Sequence, residues 1–161
     1  MSKMSKATSK TVDVARPVSA DKVAWMDLWA QYNAFYGRTE DTALPKDVVD
    51  ATWKRILDPE SSVDGLVASV SGKLVGLAHV AFHDNMIQLQ QTCYMQDLFT
   101  APDARGLGVA RALIDGVKQL CRSRRVGDVY WHTQAENTVA RRLYDQVGRD
   151  TNFVVYRMNF D

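Results

Sequence analysis

Apolar and polar positions alternate along "TVDVARPV", Thr11 to Val18, with Val12, Val14 and Arg16 at period two, which predicts a strand. From Asp21 to about Tyr36 the period lengthens. Val23, Met26, Trp29, Ala30 and Asn33 recur at helical spacing behind a capping Ser19, which predicts a helix. A second helix is predicted in "LPKDVVDATWKRIL", where Pro45 sits at a helix start and its missing N–H costs nothing. Val48, Val49, Trp53 and Ile56 form its apolar face. The run "GLVASVSGKLVGLAHVAFH" is rich in Val and Leu and is broken by Ser71-Gly72, so two antiparallel strands are predicted, Leu66 to Val70 and Leu74 to Phe82. "CYMQDLFT" predicts a third strand of this group, "VARALIDGVKQLCRSRR" a long helix, and "DVYWHT" a strand. "NTVARRLYDQV" is predicted as a helix capped by Asn137, and "NFVVYRMNF" as the last strand.

This order predicts a mixed α/β domain with a mostly antiparallel central sheet flanked by helices, since strand and helix alternate only in the second half. At 161 residues one domain is expected over residues 11–161, preceded by a disordered polar tail, "MSKMSKATSK", at residues 1–10. The tail has neither the apolar centre of a secretory signal nor the arginine pattern of a transit peptide. A net charge of +1 gives no global attraction to nucleic acid, and no segment has the ~18 apolar residues that would cross a bilayer. Two cysteines, Cys93 and Cys121, are too few for a disulfide framework, so a cytoplasmic location is expected.

The chemistry concentrates in "TAPDARGLGVARAL". Gly106 and Gly108 permit positive φ and leave no side chain in the way, so backbone N–H groups can converge on an anion. The helix that follows adds its unpaired N–H groups and the positive end of its dipole. A structural turn is the alternative, because Gly-x-Gly alone is weak evidence. No lysine with serine or threonine follows at P-loop spacing, and the position ~20 residues on falls among Arg124, Arg125 and Val126 rather than on the acid of a dinucleotide site. A diphosphate on another carrier remains.

"MQDLFTAPDARGLGVARAL" resembles the acetyl-CoA-binding motif of the Gcn5-related N-acetyltransferases, and "DVYWHTQAENTVARRLYDQVG" is similar to the later segment of that family. Within it, the chain looks most like the yeast Hpa-type histone and polyamine acetyltransferases and their bacterial relatives. The resemblance implies the acyl-CoA N-acyltransferase fold. It implies a pantetheine arm bonded to the backbone at Leu98, Phe99 and Thr100, and a diphosphate on Arg105, Gly106, Leu107, Gly108, Val109, Ala110 and Arg111. Asn137 and Ala140 would line the arm, and Tyr144 would stand near the sulfur as the acid for the departing thiolate. Acetyl-CoA is the implied co-substrate, with no metal, and a homodimer through the last strands is implied as well.

One position departs from the diamine acetyltransferases. Where they carry adjacent glutamate and aspartate, this chain has Gln96-Asp97, and glutamine cannot usefully take a proton. Asp97 is left to hold an ammonium or to relay a proton through water, the alternative being a sheet-edge residue that bonds to backbone. His79 and His83 lie about 13 Å apart along one strand, too far to share a metal directly. His132 is the more plausible proton carrier of the three histidines, Cys121 falls at core spacing, and Tyr32 to Asp41 forms a candidate lip over the acceptor. The expected function is transfer of acetyl to a primary amine of a small molecule, polyamine-like or amino-acid-like, by direct attack in a ternary complex. The alternatives are a protein lysine acetyltransferase and a non-catalytic acyl-CoA sensor.

Overall fold

The computed structural model describes residues 10–160, so the predicted tail lies outside the described residues except for Lys10. These residues group into two compact units that divide after Trp131.

The first unit contains β1 (Val12–Ala15), α1 (Lys22–Phe35), α2 (Lys46–Leu57), β2 (Val63–Val70), β3 (Lys73–His83), β4 (Thr92–Thr100), α3 (Val109–Ser123) and β5 (Asp128–Tyr130). Its five strands lie in chain order. β1 to β4 pair antiparallel and β5 joins β4 in parallel, as a mixed and mostly antiparallel sheet requires.

Adjacent residues of β3 point to opposite faces, and this alternation sorts the helices into layers. Leu77 belongs to the cluster formed with Trp25, Trp29, Trp53 and Ile56 of α1 and α2. At Gly76 a Cβ would meet Val109 and Leu113 of α3. Helices α1 and α2 therefore cover one face and α3 the other. Beneath the far end of α3, Asp64 is fully buried between Arg16 (3.1 Å) and Arg124 (2.8 Å), the pairing a buried carboxylate requires.

Two helix faces differ from the sequence pattern. In α1 the buried residues are Trp25, Leu28, Trp29, Tyr32 and Asn33, whereas Val23 and Met26 are exposed. Apolar residues occur around the whole helix, so periodicity alone does not choose a face. The large indoles win because they remove the most apolar area from water. In α2, Trp53 and Ile56 are buried, Val49 is partly buried and Val48 is exposed.

The second unit holds α4 (Thr138–Val147), whose capping Asn137 accepts from the Ala140 N–H at 3.4 Å. The strand predicted in "NFVVYRMNF" is not formed, since residues 149–160 carry neither helix nor strand. A strand needs a neighbour for its N–H and C=O groups, and among the described residues no strand pairs with this segment. The strand predicted in "DVYWHT" is likewise cut to Asp128–Tyr130, which leaves His132 outside it.

Gly76 is a close approach between sheet and α3: an added Cβ would lie 2.7 Å from Val109 Cγ1 and 2.9 Å from the Phe99 carbonyl oxygen. Gly76→Ala is expected to destabilise the fold by about 1–3 kcal/mol, the cost of overpacking a tight contact. Urea unfolding measures this, and an unchanged midpoint would contradict it.

Candidate functional site

The turn between β4 and α3 is built by glycine conformation. After a single 3₁₀ turn at Pro102–Ala104 the chain passes Gly106 at φ +78 and Gly108 at φ +81, both left-handed values that other residues adopt at a cost. Among the described residues, apart from each glycine's two chain neighbours, nothing lies within 4 Å of the position a Cβ would take at either glycine. Gly108 is the N-cap of α3 and supplies no capping side chain. The first backbone bond back to it comes from Ala112, at 3.0 Å, so the N–H groups of Val109 and Ala110 precede the helical ladder. Arg105 and Arg111, both exposed, flank this run in sequence, and Leu107 is 41% exposed between the glycines. A concave run of N–H donors at the positive end of a 15-residue helix suits a diphosphate.

The strand leading into the turn is open on one side. β4 and β5 pair only through Thr92, Cys93 and Tyr94 with Asp128, Val129 and Tyr130, and the pairing ends at the stacked rings of Tyr94 and Tyr130. Beyond it, among the described residues, β3 is the only strand that pairs with β4, so the other edge of residues 95–100 is open to pairing with an extended ligand. Thr100, at the end of that edge and half-buried, has a buried hydroxyl with no hydrogen-bond partner among the described residues. Leu98 and Phe99 precede it, both half-buried. The orphaned hydroxyl, the open edge and the glycine turn fit the pantetheine and diphosphate portions of coenzyme A.

A register shift separates Gln96 from Asp97. His79 pairs with Asp97 and Val80 with Met95, so Gln96 is the extra residue of a bulge. Gln96 is exposed, whereas Asp97 is 5% exposed on the face covered by α1. There Asp97 Oδ2 accepts from Trp29 Nε1 at 3.0 Å and from His79 Nδ1 at 2.8 Å, while Trp25 Nε1 donates to His79 Nε2 at 2.8 Å. The indole donor at Nε2 fixes the histidine as its Nδ1–H tautomer. A second ring proton would set two N–H groups against each other.

Tyr32 closes this network towards solvent. Its hydroxyl donates to the Gln96 carbonyl at 3.5 Å, and its ring meets Phe99 and Tyr36 edge-on. Burial, followed by the Asp97 carboxylate, holds its phenol well above the ordinary tyrosine range. His79 and the two tryptophans escaped the sequence reading as site residues. The only sequence signal was Trp25 and Trp29 four apart, both with a donor to satisfy.

Cys93 and Cys121 are free and buried. The Cys121 thiol beside it, and burial, push the Cys93 thiol up, away from a reactive thiolate. In the second unit, Tyr144 is half-buried on α4, two turns after the Asn137 cap, and Ala140 is half-buried on the intervening turn. His132 is exposed. Among the described residues no group of three or more His, Cys, Asp or Glu side chains could hold a metal, and no helix is long and apolar enough to cross a membrane.

Comparison with known proteins adds the following. The model of the acetyltransferase (GNAT) family matches residues 24–148. The D-amino-acid N-acetyltransferase HPA3 of Saccharomyces cerevisiae is 33% identical over 141 residues, covering 86% of this chain and 85% of that protein. The uncharacterised N-acetyltransferase YhfO of Bacillus subtilis is 27% identical over 150 residues, covering 92% and 97%. Among solved structures, the aminoglycoside acetyltransferase AAC(6')-Iy, in complex with a bisubstrate analogue joining CoA to an acetylneamine, aligns with a TM-score of 0.78 at 19% identity, over 94% of this chain and 99% of that one. A ribosomal-protein-alanine N-acetyltransferase from Brucella melitensis aligns with a TM-score of 0.72 at 21% identity, over 93% and 100%. These two are likenesses of fold.

The raised Tyr32 phenol gives a pH signature. The folded state holds this proton more tightly than the unfolded chain, so the group's stabilisation is full below about pH 10 and falls by about 1.4 kcal/mol per unit as pH rises further. Tyr32→Phe is expected to flatten that decline in urea titrations from roughly pH 9 to pH 11. An unaltered slope would show that Tyr32 is not the group responsible.

Proposed function

This chain belongs to the acetyltransferase (GNAT) family, and we propose that it transfers acetyl from acetyl-CoA to the primary amine of a small molecule, amino-acid-like or polyamine-like, by direct attack in a ternary complex. The observation that carries the reading is the open edge of β4 leading, through one 3₁₀ turn, to the uncapped glycine turn of α3. In its support, the yeast relative is a D-amino-acid N-acetyltransferase, and the bisubstrate complex shows a neighbour of the same fold holding CoA joined to an amine.

Acetyl-CoA supplies an activated acyl group, and the residues of this chain bind, orient and move protons around it. Backbone groups at Leu98, Phe99 and Thr100 would hold the pantetheine arm, with the Thr100 hydroxyl gaining the partner it lacks. The run Arg105, Gly106, Leu107, Gly108, Val109, Ala110 and Arg111 would hold the diphosphate, while Asn137 and Ala140 would line the arm from α4. An attacking amine must be neutral, yet an alkyl ammonium with pKa ~10.4 is protonated at neutral pH. In our reading the Tyr32 hydroxyl takes the amine proton as it releases its own to the Asp97 carboxylate it faces, while the Gln96 carbonyl orients that hydroxyl and Trp29 and His79 hold the carboxylate in place. Gln96 contributes its backbone oxygen and has no side chain able to take the proton. Tyr144 would protonate the departing thiolate. Neither buried cysteine is assigned a covalent role, in keeping with the raised Cys93 thiol. Two buried free cysteines also suit a cytoplasmic protein.

CoA release measured across amino acids of both hands, polyamines, aminoglycosides and histone peptides tests the reading. Turnover is expected for small amines. Tyr144→Phe should lower kcat by about 10²- to 10⁴-fold while acetyl-CoA affinity holds, the range of general acid catalysis. Gly108→Val should weaken acetyl-CoA binding instead, because a β-branched residue is strained at φ +81. Binding of acetyl-CoA with no acceptor turned over would favour a sensor, and turnover of peptides alone a protein acetyltransferase.

The apolar side chains of residues 152–160 bear on assembly. Phe153, Val154, Tyr156, Met158 and Phe160 are 74–91% exposed in a segment with no strand partner among the described residues. We propose that a second copy pairs with this segment and forms a homodimer. Sedimentation equilibrium should give twice the chain mass, and Phe153→Asp with Tyr156→Asp should give a monomer. A monomeric wild type would refute the pairing.

A further inference from the structure

The C-terminus of α1 ends in a hook that returns one arginine to the helix. Gly37, at φ +76, donates its N–H to the Ala34 carbonyl at 3.0 Å, and Arg38 donates its N–H to the Asn33 carbonyl at 2.9 Å. This pair of bonds is a Schellman cap, and it turns the chain back on itself. Arg38 Nε then reaches Asn33 Oδ1 at 2.7 Å. Asn33 is 5% exposed, and its own amide donates to the Trp29 carbonyl at 2.8 Å, so its oxygen is committed to the arginine. A flexible cation has become a fixed one.

The surroundings of that cation are specific. The guanidinium carbon stands 5.7 Å from the centre of the Tyr36 ring, which packs 5.0 Å from Tyr32 and 5.1 Å from Phe35. Tyr32 is the residue that touches Gln96, and the positive charge of Arg38 acts on its phenol in opposition to Asp97. No Asp or Glu among the described residues lies within ion-pair distance of Arg38. A cation at a helix C-terminus also complements the helix dipole. That role needs neither a buried amide clamping Nε nor an aromatic wall. With Nε engaged, the two terminal NH₂ groups remain as a planar fork of the width of a carboxylate.

We propose that Arg38 binds the carboxylate of the acceptor, so that the acceptor is an α-amino acid rather than a polyamine. This rests on the transferase reading above and chooses between the two amine classes it left. A fixed, unneutralised cation beside the acceptor site repels a second ammonium and attracts a carboxylate. The exposed rings of Phe35 and Tyr36 favour an acceptor with an apolar or aromatic side chain.

Acetylation of phenylalanine and phenylalaninamide, each in both hands, and of spermidine is to be compared for the wild type, Arg38→Gln and Arg38→Lys. The wild type should prefer the acid to the amide and to spermidine. Arg38→Gln should raise KM for the acid by roughly 10- to 100-fold, the range of a charge-assisted hydrogen bond, and by at least tenfold more than for the amide. Arg38→Lys should recover part of the loss. Equal effects on acid and amide, or none, would overturn the assignment while leaving the transferase intact. Calorimetry of N-acetylphenylalanine and its amide against the CoA-loaded protein needs no turnover. Carboxylate-dependent binding that disappears in Arg38→Gln upholds the assignment even if no amine is acetylated, in which case only the transferase reading fails. Binding that ignores both the carboxylate and Arg38 overturns it.

Discussion

A carboxylate in a protein interior must be hydrogen-bonded, and the way Asp97 meets that demand sets the geometry of the whole α1 face. Burial of apolar surface would hold α1 against the sheet at many rotations, since it is non-directional. The indole donors of Trp25 and Trp29 accept only one. Trp29 bonds Asp97 directly and Trp25 bonds it through His79, so two points one turn apart on the helix are tied to two facing residues of β3 and β4. Losing either donor would strand a buried polar group at about 1–3 kcal/mol. Once that rotation is fixed, Tyr32 must lie over the bulge at Gln96 and Asn33 must face Arg38.

The other face is governed by shape. Gly76 lets Val109 and Leu113 descend onto β3, and this contact seats the first turn of α3 beside the end of β4. The positive φ of Gly106 and Gly108 then orients the peptide groups leading into the helix. Coenzyme recognition in this reading rests on backbone atoms and missing side chains, while acceptor recognition rests on side chains fixed by other side chains. The first tolerates sequence change wherever the glycines persist. The second changes with one substitution at Tyr36 or Arg38.

This division also explains what could be read from the chain alone. The glycine turn, the helix it opens, the Ser71-Gly72 hairpin and the Asn137 cap are local, and each follows from residues within a few positions of one another. The rotation of α1 is not local. Val23 and Met26 fit helical spacing as well as Trp25 and Leu28 do, and the outcome turns on what the sheet offers, a histidine and an aspartate 18 residues apart. Their meeting depends on the register of β3 against β4 across an eight-residue connection, Asp84 to Gln91, and on a bulge that no spacing announces. The final segment failed for a related reason. Its alternation is strand-like, but a strand is a relation between two segments, and among the described residues no strand pairs with this one.

The layout of charge completes the argument. Asp97 carries its negative charge at 5% exposure behind Tyr32, whereas Arg38 carries a positive charge at the surface of the same aromatic wall. An approaching molecule meets the cation first, in water and at long range, and meets the carboxylate only through a hydroxyl contact after docking. The two charges therefore do different work. In the proposed reading the exposed one would sort acceptors by their anionic end, and the buried one would act on the proton that the amine must lose. A carboxylate exposed at the position of Gln96 would have drawn polycations directly to the reacting end. Placing glutamine there and keeping the acid beneath the sheet edge removes that attraction and, in the proposed reading, would still leave a proton acceptor.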